Sequence, residues 1–389
     1  MGSDLTGRYV SLLAPLRKRF LEGDVDPVGV NDTSAGIGMK YIAIDAMGGD
    51  FGPSVVVEGV ALAYTQLQQS SGNCVRFVFF GDEDAINAQL EKYPNLLSAS
   101  SVVHTDVIVT NEMKPIDALR HKEDSNLGMA LHSVASGRTH AVVSAANTGA
   151  YVTLAKVILE TLPGIDRPAI PAVMPNRNGM SVVLDLGANL ECSPERLVQF
   201  ALMGEVLARA LLKKSSPTVG LLNVGSEEMK GNAIVQTTGQ MLHSIDKITK
   251  EDASLDRFNF RGFVEGNDIF GGAADVIVTD GFSGNIALKA IEGVILFLFD
   301  LIRESGKKSL LHKLLALLML PLLKNVKQTI DPRLYNGAVF LGLNKIAVKS
   351  HGSADPFSFA KAVCVAVNMA QSNFSDEIER RLQLVTKIQ

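Results

Sequence analysis

Tyr41-Ile-Ala-Ile-Asp45-Ala-Met-Gly48-Gly49-Asp50 is the stretch on which the fold turns: a short apolar run that stops abruptly in an acid, two glycines and a second acid. A run this short with no alternating polar face reads as a strand buried on both sides, which is the pattern of parallel strands covered by helices. Where the strand stops, glycine lets the chain turn tightly, and small polar residues are left at the carboxyl edge of the sheet. The arrangement recurs. Val142-Val-Ser144 runs into Ala-Ala-Asn147-Thr148-Gly149, Val182-Val-Leu184 into Asp185-Leu-Gly187-Ala-Asn189, and Leu221-Leu222 into Asn223-Val-Gly225-Ser-Glu-Glu-Met-Lys230-Gly231. Val276-Ile-Val278 leads in the same way to Asp280-Gly281-Phe-Ser283-Gly284-Asn285.

Working outward, helical and strand-like stretches alternate. The pattern predicts helices over 53–67, 83–91, 126–136, 149–160, 194–212, 232–243 and 286–303. Strands fall over 41–44, 75–80, 101–103, 141–144, 218–222, 260–264, 275–278 and 345–348, and the stretches 172–174 and 181–186 flank a turn as a hairpin. Such alternation predicts an α/β protein with a doubly wound, mostly parallel sheet. Residues 39–389 form that domain. Residues 1–38 read as an N-terminal extension, disordered or weakly helical, and do not resemble a secretory signal, because 11–20 mixes three basic residues into a short apolar run with no cleavage-type tail.

Composition removes several function classes. A formal net charge of -4 argues against a general nucleic-acid binder, which needs a basic face to displace counterions. Cys74, Cys192 and Cys364 are far apart and form no CxxC pair, so neither a disulfide framework nor a zinc site is indicated, and a reducing cytosol is the natural setting. One segment departs from the pattern. Residues 307–327 read KKSLLHKLLALLMLPLLKNVK, and 303–333 carries seven basic residues against two acidic ones. The apolar run over 310–323 is shorter than the roughly 20 residues a bilayer demands. A basic, leucine-rich helix or helical hairpin of this kind suits the headgroup zone of an anionic leaflet first, with a subunit-interface or core helix as the alternative.

The strand exits point to an anion site, since strand ends and helix N-termini present backbone N–H groups at one edge of such a sheet. Neither GxGxxG nor GxxxxGK[ST] occurs, so dinucleotide and nucleoside-triphosphate sites are poor fits. There is no GxSxG elbow and no cysteine beside a histidine in these loops. The nucleophile therefore comes from solution. Among the histidines, His351 alone sits in a loop of the same type, Lys349-Ser-His-Gly352. Asp45, Asp185 and Asp280 each end a strand, where a helix cap or a turn-closing hydrogen bond is the ordinary use. If they share a cleft, Lys230, Lys289, Arg167 and Lys349 are the available counter-ions. No metal and no cofactor is assigned.

Taken in order, these loops resemble the phosphate acyltransferase (PlsX) family of bacterial phospholipid synthesis. The residues that carry the likeness are Ile44-Asp-Ala-Met-Gly-Gly-Asp-Phe-Gly-Pro53, Ser144-Ala-Ala-Asn-Thr-Gly-Ala150, Gly164-Ile-Asp-Arg-Pro168, Val183-Leu-Asp-Leu-Gly-Ala-Asn189, Leu222-Asn-Val-Gly-Ser-Glu-Glu-Met-Lys-Gly231, Asp280-Gly-Phe-Ser-Gly-Asn285, Tyr335-Asn-Gly-Ala338 and Lys349-Ser-His-Gly352. The family usually has glycine where Ala146 stands. The resemblance implies a homodimer with the isocitrate/isopropylmalate dehydrogenase-like fold and a projecting helical hairpin. It implies transfer of a long acyl chain from acyl carrier protein to inorganic phosphate. The product would pass to a membrane-bound glycerol-3-phosphate acyltransferase from a cytoplasmic enzyme resting on the inner face of the membrane through 307–327.

On that reading Lys230, Asn285 and His351 are the catalytic candidates: Lys230 neutralises phosphate or the oxyanion, Asn285 donates hydrogen bonds and His351 manages the proton. Substrate is held by Asp45, Gly48, Gly49, Asn147, Thr148, Gly149, Asp185, Gly187, Asn189, Asn223, Gly225, Asp280, Gly281, Ser283 and Gly284. A phosphotransacetylase-type enzyme acting on acyl-coenzyme A and a non-catalytic, membrane-docked scaffold are the competing readings.

Overall fold

The computed structural model describes residues 38–69, 75–305 and 331–386. The predicted extension over 1–38, apart from its last residue, Cys74 and the basic leucine-rich segment 307–327 lie outside the described residues.

Two sheets carry the strands, where the sequence suggested one. The first has the order β10-β11-β4-β1-β2-β3, formed by Ala338–Val339, Ile346–Lys349, Ala141–Ser144, Lys40–Asp45, Val75–Gly81 and Ser100–His104 respectively. All its pairings are parallel except that of β10 with β11. The second has the order β5-β6-β9-β7-β8, from Ala172–Asn176, Gly179–Leu184, Val276–Val278, Thr218–Leu222 and Asn259–Val264. The break follows from the hairpin. β5 turns back on β6 in antiparallel register and starts a new sheet, while the free edge of β4 is taken by β11.

Period-2 alternation explains how the first sheet is covered. Ile42 and Ile44 of β1 face one apolar cluster, and Ala43 between them faces another. The first cluster is shared by both sheets: it joins Val143 and Val348 to Leu184 and Val276 through α7 (Pro194–Leu212) and α11 (Pro356–Ala370). The other face is closed by α5 (Asn126–Ala135) and α6 (Thr148–Leu159), which bury Leu131 and Tyr151 against β strands. Remaining helices are α1 (Pro53–Gln69), α2 (Glu83–Leu90), α3 (Pro94–Leu97), α4 (Pro115–Arg120), α8 (Ala233–Glu251), α9 (Asp268–Gly271), α10 (Gly281–Ser305) and α12 (Phe374–Thr386).

Two helices run several residues beyond their predicted bounds, and α12 is held by charge. α8 continues to Glu251 because its polar residues are used inward: the Asp246 carboxylate and the Thr249 hydroxyl accept from the backbone N–H groups of Phe260 (3.4 Å) and Phe258 (3.0 Å). α10 starts at Gly281 rather than 286, since Asp280 accepts from Ser283 N at 2.7 Å and draws the glycine-rich exit into the first turn. α12 docks on α7 through Arg381, whose guanidinium grips the fully buried Glu205 at 2.8 and 2.5 Å. Burial raises the Glu205 carboxyl, and the Arg381 and Arg209 guanidiniums pull it back down.

Candidate active site

Asp45 is the hub of the first sheet's carboxyl edge. It is fully buried, with Oδ2 accepting from Ser144 Oγ at 2.5 Å and Oδ1 accepting from Asn126 Nδ2 at 2.5 Å and from Met47 N at 3.3 Å. Burial pushes its carboxyl above the usual range, and these donors counter the rise. Gly48 lies against this hub: a Cβ there would come within 2.5 Å of Asp45 Oδ2 and 2.9 Å of Ala146 N. Gly49, at φ +86°, passes so near Gly352 that a Cβ would sit 2.8 Å from its carbonyl oxygen. Asp50 N donates to that same oxygen at 2.9 Å, which ties the glycine turn of β1 to the His351 turn of β11.

Between the two turns a shallow, solvent-open hollow is lined by Gly48, Gly49, Asp50, Ala145, Gly352 and Phe359. Beside it Lys349, at the end of β11, is part-buried, and its Nζ meets main-chain oxygens: Ala145 O at 3.4 Å and Ser350 O. Among the described residues no carboxylate lies in ion-pair contact with it. Burial pushes the ammonium down to about 8, against the opposing pull of Asp45 and Asp50. Asn147, Thr148 and Gly149 stand at the same edge, but Asn147 is committed to α6. Its Oδ1 accepts from Gly149 N at 2.9 Å and Ala150 N at 3.2 Å, while Nδ2 donates to Asn111 O at 3.1 Å. Ala146 is buried in the apolar cluster under α6.

The second sheet has its own hub in Asp185. Also fully buried, it accepts through Oδ2 from Asn189 N (2.5 Å) and Nδ2 (3.0 Å), and through Oδ1 from Ile170 N at 2.9 Å. Burial again raises the carboxyl. Asn189 is buried as well and spends its amide on Asp185 and Pro168 O. Gly281 and Gly284 are small because α10 starts against this hub: a Cβ on Gly281 would lie 2.9 Å from Asp185 Oδ2, and one on Gly284 would collide with Asp185 O. Asp280 and Ser283 bond each other across the first turn of α10. Asn285 is exposed and lies over Gly187, 3.6 Å from where that residue's Cβ would be.

The exit of β7 closes on itself. Asn223 Oδ1 accepts from Val224 N at 2.9 Å and Nδ2 donates to Lys230 O at 3.1 Å, with Gly225 folded under the Lys230 stem. Lys230 is exposed and makes no ion pair among the described residues. β6, β9 and β7 are adjacent and parallel, so their exits share one edge of the second sheet. The predicted site residues thus gather at two edges, and among the described residues no hydrogen bond links the candidates of one edge to those of the other. Cys192, the sole described cysteine beside a hub, is buried, and burial pushes its thiol up to about 11.

Four side chains of the first edge were absent from the sequence-based set: Asn111, Asn126, Asn336 and Ser353. Asn111 Nδ2 donates to Asp50 Oδ1 at 2.7 Å. Asn336 holds the His351 turn, accepting from His351 N at 3.0 Å and donating to Ser350 Oγ at 2.8 Å. A Tyr335-Asn336-Gly337 turn was the available signal for Asn336; nothing local marks Asn126.

The model of a family described as "Fatty acid synthesis protein" matches residues 40–377. The phosphate acyltransferase of Paramagnetospirillum magneticum is 46% identical over 339 residues, covering 87% of this chain and 93% of that protein. That of Rhodospirillum centenum is 48% identical over 341 residues, 88% and 92% of the two chains. Among solved structures, the EutD phosphotransacetylase from Staphylococcus aureus aligns over 92% of this chain and 99% of its own with a TM-score of 0.54 at 16% identity, a likeness of fold alone. With these relatives and this architecture of parallel sheets, the chain is an α/β acyltransferase. The chain belongs to the fatty acid synthesis protein family.

Proposed function

We propose that the chain transfers a long acyl group from the thioester of acyl carrier protein to inorganic phosphate, releasing acyl phosphate for phospholipid synthesis. The observation that carries this reading is the first edge. There a hollow walled by Gly48, Gly49 and Gly352 adjoins an ammonium group, Lys349, that has no carboxylate in contact. A small anion pairs with that ammonium directly, in addition to the longer-range pull of Asp45 and Asp50. One of its oxygens attacks the thioester carbon, the C–S bond breaks as the tetrahedral intermediate collapses, and the thiolate departs without acid help because thiols ionise near pH 8.5. Holding both reactants in attack geometry supplies several kcal/mol of the barrier. Lys230 and Asn285, both exposed on the second edge, are the groups free to meet the developing oxyanion. Asp45 and Asp185 orient the surrounding donors.

Two further elements of the reading concern assembly. The outer half of α10 exposes Val294, Leu296, Phe297, Leu298, Leu301 and Ile302. A second copy of the chain covers this band, and the basic segment 307–327 rests on the anionic inner leaflet, near the membrane-bound glycerol-3-phosphate acyltransferase that uses the product. No described helix is long and apolar enough to cross a membrane. The deciding experiment is phosphate-dependent release of carrier thiol from palmitoyl carrier protein, with acyl phosphate trapped by hydroxylamine. Release that ignores phosphate overturns the reading, and a faster reaction with palmitoyl-coenzyme A overturns the choice of donor.

A further inference from the structure

His351 is exposed at the tip of the turn after β11, and its ring is not free to choose a tautomer. Ser353 N lies 3.2 Å from His351 Nδ1, and Ser353 Oγ lies 2.9 Å from the same nitrogen. A backbone N–H only donates, so the nitrogen facing it must present a lone pair. With Nδ1 the acceptor, the single proton of the neutral imidazole sits on Nε2, which has no protein partner among the described residues. The main chain around the ring is pinned on both sides: His351 N donates to Asn336 Oδ1 at 3.0 Å, and His351 O accepts from Ala354 N at 3.1 Å. Asn336 is itself fixed by its bonds to Ser350 Oγ and to Ser358 O at 2.9 Å.

We propose that Ser353 is a positioning residue that locks His351 as the Nε2–H tautomer, so that His351 acts as a neutral hydrogen-bond donor to negative charge developing in the reaction rather than as a proton shuttle. Chemistry favours the assignment. A neutral imidazole cannot release its last proton near neutral pH, and with Nδ1 already engaged it cannot take one from phosphate at Nε2. What it offers is a fixed N–H aimed outward, and a donor held in advance at the place where charge appears is worth most to a transition state. The inference rests on the acyl-transfer reading for its substrate, but the tautomer is a property of the protein alone.

Nitrogen NMR on the full chain with labelled histidine, assigned by loss of the His351 signals in His351→Gln, reads the tautomer directly. A protonated, pyrrole-type Nε2 and an unprotonated, pyridine-type Nδ1 are expected; the opposite pair overturns the proposal even if the enzyme is active. Replacement supplies the second readout. The side-chain amide of Gln places a donor near the position of Nε2, so His351→Gln should retain at least a tenth of the wild-type kcat, whereas His351→Ala should lose about a hundredfold to a thousandfold. Equal losses in both variants overturn the donor role. Ser353→Ala keeps the main-chain donor and should keep the Nε2–H spectrum, whereas Ser353→Pro removes that donor and should give an Nδ1–H population, lower kcat several-fold and leave KM for phosphate unchanged; a wild-type spectrum in Ser353→Pro removes Ser353 from the device. Absence of phosphate-dependent thiol release in an enzyme with the expected spectrum counts against the acyl-transfer reading and leaves the tautomer standing.

Discussion

Asn126, at the start of α5, donates its side-chain amide to Asp45 Oδ1 at 2.5 Å across 81 positions of sequence, and accepts through Oδ1 from Val109 N at 2.8 Å. One buried amide thus joins the hub of the first edge to the irregular segment that follows β3.

Removing it leaves a buried carboxylate short of a donor and a backbone N–H short of an acceptor. Asn126→Ala should therefore cost about 1–3 kcal/mol of stability per orphaned group, read as a lower urea midpoint. An unchanged midpoint would mean that Asp45 is satisfied without Asn126.

Gly284→Ala tests the second hub. The added methyl would collide with Asp185 O, so α10 or the exit of β6 has to move, at a cost of about 1–3 kcal/mol. Gly266→Ala, with nothing within 4 Å of the new Cβ, is the control and should lie within about 0.5 kcal/mol of wild type. Thermal unfolding of the pair should separate them clearly.

Lys349 sets a pH dependence whose sign follows from burial. Its ammonium titrates at about 8 in the fold against 10.5 in the unfolded chain, so between those values the unfolded state binds more protons and stability rises with pH. At neutral pH the buried charge is a cost on the order of 3 kcal/mol. Lys349→Met should accordingly gain more stability relative to wild type at pH 7 than at pH 10.5, while KM for phosphate rises at least tenfold. A stability difference that does not change with pH would show that the lysine is solvated.

The Arg381–Glu205 grip separates a pair from its halves. Arg381→Met leaves the buried Glu205 with Arg209 as its one guanidinium partner at 2.8 Å and should destabilise by up to about 3–5 kcal/mol. Adding Glu205→Met should recover most of the loss in guanidinium unfolding, since the charge that needed compensation is gone. A double variant no better than the single one would assign the cost to packing of α12 instead.

At the second edge, Lys230→Ala and Asn285→Ala should each lower kcat at saturating phosphate by about a hundredfold if they meet the oxyanion. Wild-type turnover in both variants would remove them from the chemistry.

Much of the architecture was legible because strand exits carry their own signature. The runs ending at Asp45, Ser144, Asp185 and Leu222 each announce a buried strand and a turn within a few residues. Which sheet a strand joins is not written locally: β11 pairs with β4 across most of the chain, and nothing near Lys349 says so. Asp280-Gly281-Phe-Ser283-Gly284 reads as a loop because glycine is a poor helix residue, yet the start of α10 against Asp185 leaves room for nothing larger. The site was legible in composition and obscure in wiring. Asn147, Asn189 and Asn223 look like ligand donors in one dimension, and in three their amides are largely engaged with their own surroundings. Lys349 stood in the sequence as a possible counter-ion; only its burial beside the hollow distinguishes it from Lys289, which pairs with Glu292 at 2.7 Å.

The order β10-β11-β4-β1 has a consequence for how the molecule is made. Ile346 pairs with Ala141, so during translation β4 leaves the ribosome with one ladder edge bare until the whole second sheet has been synthesised. At ~5–20 residues per second that wait lasts on the order of tens of seconds, long enough for holding chaperones to engage an exposed edge. It also means that a chain stopped before β11 lacks Lys349 and His351 and leaves that edge of β4 without its strand partner.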